Sequence, residues 1–221
     1  MRRTRLMSGK TFTSTYKDYG FSCAAESHMH ARFLPHVFAL ADDLKAGTRV
    51  LDIGCGNGFT CGEFLKHGCT VVGIDLSESG IEIGRRTHPD VRFELCAADS
   101  NLLTNLREPP FDVVVSTEVV EHLYDPREWA LGCFKALKPG GRLICTTPYH
   151  GYVKNLALSV FGRWDSHANP LWDGGHIKLW SRATLTQLLR ETGFTNLYFR
   201  GVGRFPLLWM TMVMAADKPK T

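Results

Sequence analysis

Residues 48–75 read TRVLDIGCGNGFTCGEFLKHGCTVVGID, and this stretch allows few folds. A short apolar run breaks on Gly54, Gly56 and Gly58. A helical segment follows and closes at Gly68. A second apolar run, TVVGID, ends in Asp75. Apolar runs of this length between turn residues read as buried strands. The glycines let the backbone turn sharply and approach a ligand closely at the strand-to-helix joint. Two strands joined through a helix pair in parallel, so the stretch predicts a βαβ unit.

The same alternation continues. SESGIEIGRRTHP reads as a helix opened by Ser77 and stopped by Pro89. VRFELCAAD (91–99) is a third strand and FDVVVST (111–117) a fourth. DPREWALGCFKALKPGG holds a helix with Pro126 in its first turn and a Pro-Gly-Gly stop, followed by a fifth strand, RLICTTP. SRATLTQLLRETGF is a helix capped by Ser181 and ended at Gly193. Two strand-like runs, near 195–200 and 207–215, are joined only by GVGRFP, a link short enough to require an antiparallel hairpin. Before all of this, residues 28–45 read as mostly helical, with Pro35 near a helix start. The expected fold is α/β: a doubly wound, seven-stranded, mostly parallel sheet with an antiparallel C-terminal hairpin. Its ligand belongs beyond the carboxyl ends of the strands.

Composition excludes several classes. The 221 residues suffice for one domain with a full core, and a net charge of +4 is too weak to argue for nucleic acid. Seven cysteines, an odd number without C-x-x-C spacing, read as small core residues in a reduced compartment. No apolar run is long enough to span a bilayer. The basic opening MRRTRLMSGKTFTSTYK lacks the apolar core of a secretory signal and reads as a tail. The expected location is cytoplasmic.

Asp75 lies 21 positions after Gly54, placed for a carboxylate to accept from both hydroxyls of a ribose. Asp52, two residues before the first glycine, would repel a pyrophosphate. It suits a cationic group such as an ammonium or sulfonium, or a role orienting the loop amides. No Tyr-x-x-x-Lys pair supports a short-chain dehydrogenase. With VLDIGCGNG, VVGIDLS and LKPGGRL together, residues 48–148 resemble the core of class I S-adenosylmethionine-dependent methyltransferases, nearest to the ubiquinone-biosynthesis O-methyltransferase group.

The resemblance implies that Gly54, Gly56 and Gly58 pack on the methionine portion of S-adenosyl-L-methionine and that Asp75 holds the ribose. Leu76 would line the adenine, Asp99 would meet its amino group, and Arg32 and Thr117 would also touch the cofactor. Asp52, Cys55, Asn57 and Glu118 complete the implied cofactor-binding set.

STEVVEHL places Glu118, Glu121 and His122 at the tip of the fourth strand. A histidine has the intrinsic pKa to take a proton from a hydroxyl nucleophile, which makes His122 the first candidate base. Bracing of the following turn is the competing structural reading. The string also resembles a divalent-ion site in eukaryotic ubiquinone-pathway O-methyltransferases and in small-RNA 3′-terminal 2′-O-methyltransferases. By that resemblance His176, in DGGHIKLWSR, would join Glu118, Glu121 and His122 around Mg²⁺ or another divalent metal. Without metal, His176 is the alternative base.

Residues 149–180 are long for a connection and read as a lid over the acceptor. Val153, Leu156, Ala157, Val160, Phe161 and Trp164 share one helical face, suited to the lid, to packing on the core, or to peripheral membrane contact. YGFSCAAESHMHARF reads as the other half of this cover, with His28 and His30 either in reach of the acceptor or, as the competing reading for each, in a core or solvent role. The expected organisation is a single domain over 1–221: tail and lid helices to 45, a cofactor core over 46–148, the lid over 149–180, and a closing helix and hairpin. The expected activity is methyl transfer to a small aromatic or hydrophobic acceptor, at a hydroxyl oxygen. The alternatives are ribose 2′-O-methylation of an RNA 3′ end and a non-catalytic binding protein.

Overall fold

The computed structural model describes residues 18, 20–26, 29–41 and 44–221. Along the chain run α1 (His30–Leu40), β1 (Arg49–Ile53), α2 (Phe59–Lys66), β2 (Thr70–Asp75), α3 (Glu78–Thr87), β3 (Arg92–Leu95), α4 (Leu102–Leu106), β4 (Phe111–Thr117), a 3₁₀ turn (Val120–His122), α5 (Pro126–Ala136), β5 (Leu137–Pro148), α6 (Tyr152–Val160), α7 (Trp164–His167), α8 (Arg182–Thr192), β6 (Thr195–Val202) and β7 (Thr211–Asp217). The strands form one sheet in the order β3-β2-β1-β4-β5-β7-β6. The first five pair in parallel, and β7 runs antiparallel to both β5 and β6. The expected architecture is the observed one.

Strand alternation splits the core between the two faces of the sheet. Leu51, Ile53, Val114, Leu143 and Cys145 pack with Trp129, Leu185 and Leu189 on one side. Val50, Val113, Val115 and Ile144 pack with Phe33, Val37, Phe64 and Ile81 on the other. Central parallel strands covered on both faces must be apolar throughout, and this is why their sequences show no polar alternation. Five of the seven cysteines are buried, and all seven are free thiols.

The helix ends follow the expected chemistry. The Ser77 hydroxyl accepts from Gly80 N, Asp125 caps α5 ahead of Pro126, Ser181 forms a capping box with Thr184, and Gly193 closes α8 in the left-handed region. Four details differ from expectation. Pro35 lies inside α1 rather than at its start, tolerated on an exposed position. Strand β5 begins at Leu137, directly from α5, and a register shift against β4 between Phe111 and Val113 absorbs Pro139–Gly141. Strand β3 is only four residues long, and the short helix α4 fills the segment after it. Finally, α6 is inverted. Its buried residue is Lys154, whereas Tyr152, Val153, Leu156 and Val160 are exposed. The apolar face read for this helix therefore does not pack on the core. Among the described residues no helix is long and apolar enough to cross a membrane.

Candidate functional site

The glycine turn sits at the carboxyl end of β1. Gly54 N and Cys55 N both donate to Ile74 O on β2, at 2.8 and 2.9 Å. Gly54 has φ +74°, and a Cβ there would collide with the Val119 side chain. No L side chain fits that position on either count. Asp75, at the end of β2, accepts from Gly56 N through Oδ2 and from Ser77 N through Oδ1, each at 2.8 Å. One carboxylate thus braces both the turn and the head of α3.

The N-terminal segment straps over this turn. The Asp18 carboxylate accepts from Ser77 Oγ, Ser79 Oγ and Ser79 N, and these donors hold its pKa far below the usual range. Phe21 lies against Gly56 and Gly80, where a Cβ at Gly56 would come within 2.7 Å of the ring. Asn57 Nδ2 donates to Cys23 O and Ala25 O, tying the strap to the loop. The segment expected to cover the acceptor thus lies, in its described part, over the glycine turn. His30 packs edge-on to Phe33 and against Phe59, and burial lowers its pKa. His28 and the basic tail lie outside the described residues.

Asp52 is fully buried and its Oδ1 has no hydrogen-bond partner, while Oδ2 accepts from Cys61 Sγ at 3.2 Å. Burial, with a smaller push from Asp75, raises its pKa to about 7. Because the folded value exceeds the ordinary 3.8, the stability linked to protonated Asp52 is full below that pH and is lost as pH rises through about 7. The ligand-free protein is therefore expected to lose stability as the pH rises from about 4 to about 7, and Asp52→Asn to remove most of that loss. The difference at pH 8 is bounded by about 4 kcal/mol. Thermal melts of both proteins across that range check this, and parallel profiles would contradict it.

Of the other expected cofactor residues, Leu76 and Asp99 follow β2 and β3, Thr117 ends β4, and Arg32 is on α1. Leu76 is 44% exposed. Asp99 lies beyond β3 and its Oδ1 accepts from Asn101 N. Thr117 ends β4 and pairs with Thr146. Arg32 is exposed on α1, and Cys55 is buried.

At the β4 tip, Glu118 takes a left-handed φ of +55°, a conformation that costs an L residue on the order of 1–2 kcal/mol. Its side chain is tethered by Thr146 Oγ1 at 2.8 Å and Thr211 Oγ1 at 2.9 Å, both donating to Oε1. The chain then enters the 3₁₀ turn and delivers Glu121 inward. Glu121 is 1% exposed; Oε2 accepts from Thr147 Oγ1, and Oε1 has no partner. Burial and then the Glu118 charge push its pKa well above the ordinary value.

His176 reaches this turn through a backbone zip. The Ile177 and Lys178 amides both donate to Glu121 O at 2.9 Å, and Trp180 Nε1 donates to Val120 O at 3.2 Å. His122 Nδ1 lies 3.2 Å from Gly175 O; a proton there leaves Nε2 as a lone pair, 3.9 Å from Glu121 Oε1. One ligand atom each from Glu121, His122 and His176 fall within 4.8 Å of one another. His176 is pushed down to about 4, mainly by burial and then by His122, and is neutral at ordinary pH. This donor set, one carboxylate with an orphaned oxygen and two imidazoles, fits a divalent cation. Glu118 takes no place in the group, being held by the threonines instead.

Sequence reasoning missed three neighbours. His150 is 4% exposed and its Nε2 is unpartnered. His167 Nε2 is buried and unpartnered as well. Lys154 is 4% exposed on α6. A lysine inside the apolar pattern of that helix was the one available signal.

A family profile described as a methyltransferase domain matches residues 25–198. The ubiquinone biosynthesis O-methyltransferase of Maricaulis maris is 33% identical over 186 residues, covering 78% of this chain and 72% of that one. The enzyme of the same description from Thiobacillus denitrificans is 32% identical over 167 residues, covering 73% and 71%. Among solved structures, an S-adenosylmethionine-dependent methyltransferase from Mesorhizobium loti shares the fold with a TM-score of 0.62 at 21% identity, over 84% of this chain and 97% of that one. Phosphoethanolamine N-methyltransferase 2 of Haemonchus contortus, in complex with S-adenosyl-L-methionine, gives 0.61 at 18% identity; the match covers 84% of this chain and about half (52%) of that larger one.

Proposed function

The chain belongs to the methyltransferase-domain family and is an S-adenosylmethionine-dependent methyltransferase, and we propose that it methylates a hydroxyl oxygen of a small aromatic or hydrophobic acceptor beside Glu121, His122 and His176. The observation that carries this reading is the convergence of those three side chains at the β4 tip, at the sheet end that also bears the glycine turn and Asp75. S-adenosylmethionine supplies a methyl group already activated by its sulfonium. The chain's task is then alignment of the nucleophile and removal of its proton.

In this reading Gly54, Gly56 and Gly58 give the cofactor close backbone contact, and Asp75 accepts from the ribose. Asp52 faces the loop as a buried carboxyl that a nearby cation returns to its ionised form. Trp172, with its ring 6.1 Å from His122 and 5.4 Å from His176, gives an aromatic wall to the acceptor. Glu121, His122 and His176 hold a divalent cation, which when bound lowers the pKa of the acceptor hydroxyl. Glu118 stays in the supporting shell with Thr146 and Thr211. The O-methyltransferase descriptions of the relatives support oxygen as the atom methylated.

Removal of divalent ions is expected to abolish methylation of catechol, with recovery on adding Mg²⁺, Mn²⁺ or Zn²⁺. Direct calorimetry should show one of these ions binding the native protein and not Glu121→Gln with His176→Ala. Binding of S-adenosylhomocysteine should persist throughout. Full activity after chelation would remove the cation from this account and leave His122 Nε2 as the proton acceptor.

A further inference from the structure

Lys154, on α6, is a buried ammonium with no direct ion pair; Glu118 acts on it electrostatically but is itself held by Thr146 and Thr211. The one hydrogen bond of Lys154 is a long one, from Nζ to Met210 O at 3.4 Å, and among the described residues no carboxylate lies within ion-pair reach of it. An ammonium has three donors, and leaving two of them dry in a protein interior is costly. Around it stand two further groups with unmet polar atoms. His150, at the end of β5, is held from one side by Asn155 Oδ1, 3.2 Å from Nδ1, and from another by the stacked Trp164 ring. Its Nε2 is buried with no partner. His167 lies 5.1 Å from His150, centroid to centroid, and its Nε2 is likewise buried and bare. Lys154 acts electrostatically on both imidazoles, and Arg204 acts on Lys154 and His167. The cluster also feels Glu118 and His176, so it adjoins the β4 tip.

A buried ammonium, with Arg204 acting on it and unfilled polar positions around it, suits an acidic oxygen group. We propose that Lys154, His150 and His167 form an acceptor subsite for a carboxylate, so that the methylated compound is an aromatic or hydrophobic acid whose acid group lies here while its hydroxyl reaches Glu121, His122 and His176. This rests on the methyl-transfer reading above. One buried ammonium matches a monoanion better than a dianionic phosphate. Two carboxylate oxygens can take the lysine and the His167 N–H together, while His150, whose Nδ1 proton points to Asn155 Oδ1, meets the anion through Nε2 by taking up a proton. Burial and Lys154 lower the pKa of His150 to about 4 in the free protein, and an incoming anion offsets the lysine's share of that shift.

Calorimetry with 4-hydroxyphenylacetate, 4-methylphenol and phenyl phosphate tests this, run with and without saturating S-adenosylhomocysteine. The first two share a ring and hydroxyl and differ by the carboxylate. The native protein should prefer the acid over 4-methylphenol by roughly ten- to hundredfold. Lys154→Met should erase the preference while leaving S-adenosylhomocysteine affinity unchanged, which also reports that the variant is folded. His150→Gln should reduce the preference and keep part of it. Equal affinity for the acid and 4-methylphenol, no binding of either, or a preference that survives Lys154→Met would overturn the subsite. Tighter binding of phenyl phosphate would overturn its assignment to a carboxylate. If the acid preference holds but S-adenosylhomocysteine does not bind, the subsite stands and the methyl-transfer reading falls.

Discussion

Asp75→Ala is expected to weaken S-adenosylhomocysteine binding by at least roughly hundredfold. The carboxylate accepts from Gly56 N and Ser77 N in the ligand-free protein. It therefore fixes the glycine turn and the start of α3 relative to each other before any ligand arrives. A ribose diol brings two further donors to the same acceptor. Hydrogen bonds to a charged group contribute about 1.5–3 kcal/mol each, so losing two of them gives the stated drop or more. Asp75→Asn keeps one acceptor oxygen and should fall between the two. Folding should survive both changes, because β2 is held by its ladders with β1 and β3. Calorimetry reads the affinity and a thermal melt reads the fold. An affinity within threefold of the native value would show that Asp75 braces the loop and takes no part in binding.

The second large effect concerns the fold. Trp129, on α5, is fully buried between the sheet and α8, and its Nε1 donates to Ser116 Oγ at 3.3 Å. Ser116 Oγ in turn donates to Ile53 O, so this indole links α5 to the ends of β4 and β1, next to the glycine turn. Truncating a buried tryptophan to alanine costs about 3–5 kcal/mol, a large part of the ~5–15 kcal/mol that holds a domain folded. Trp129→Ala should lower the melting temperature by roughly 6–20 °C, using ~2–4 °C per kcal/mol for a chain of this size. Trp129→Phe keeps most of the apolar area and loses the N–H, so it should cost only about 1 kcal/mol plus a small packing loss. Urea titration gives both numbers. A loss below 1 kcal/mol for Trp129→Ala would mean that the core closes over the gap.

The two predictions differ in how far the sequence foretold them. Asp75 was legible because a strand ending in an acid, after a glycine turn and a helix, has only one place to go in a parallel sheet. Trp129 was legible only as an apolar position on a helix. Its bond to Ser116 depends on how α5 crosses β4, and no local pattern encodes that.

What the sequence determined by itself was the sheet, its crossover helices, and the glycine turn with the acid that ends β2. Those features are set by short-range chemistry: strand runs, glycine turns, serine and aspartate caps, and the acid at the end of β2. What the tertiary structure decided was the other half. His176 meets His122 because the amides of Ile177 and Lys178 dock on the carbonyl of Glu121, more than fifty positions away in the chain. Glu118 leaves the His/Glu group because two threonines, on β5 and β7, capture its carboxylate. α6 turns Lys154 inward against its own apolar pattern, beside His150 and His167. Each of these outcomes depends on which distant polar groups share a buried space, and the energy of a buried charge or donor is fixed by those neighbours and not by the residues adjacent to it in sequence.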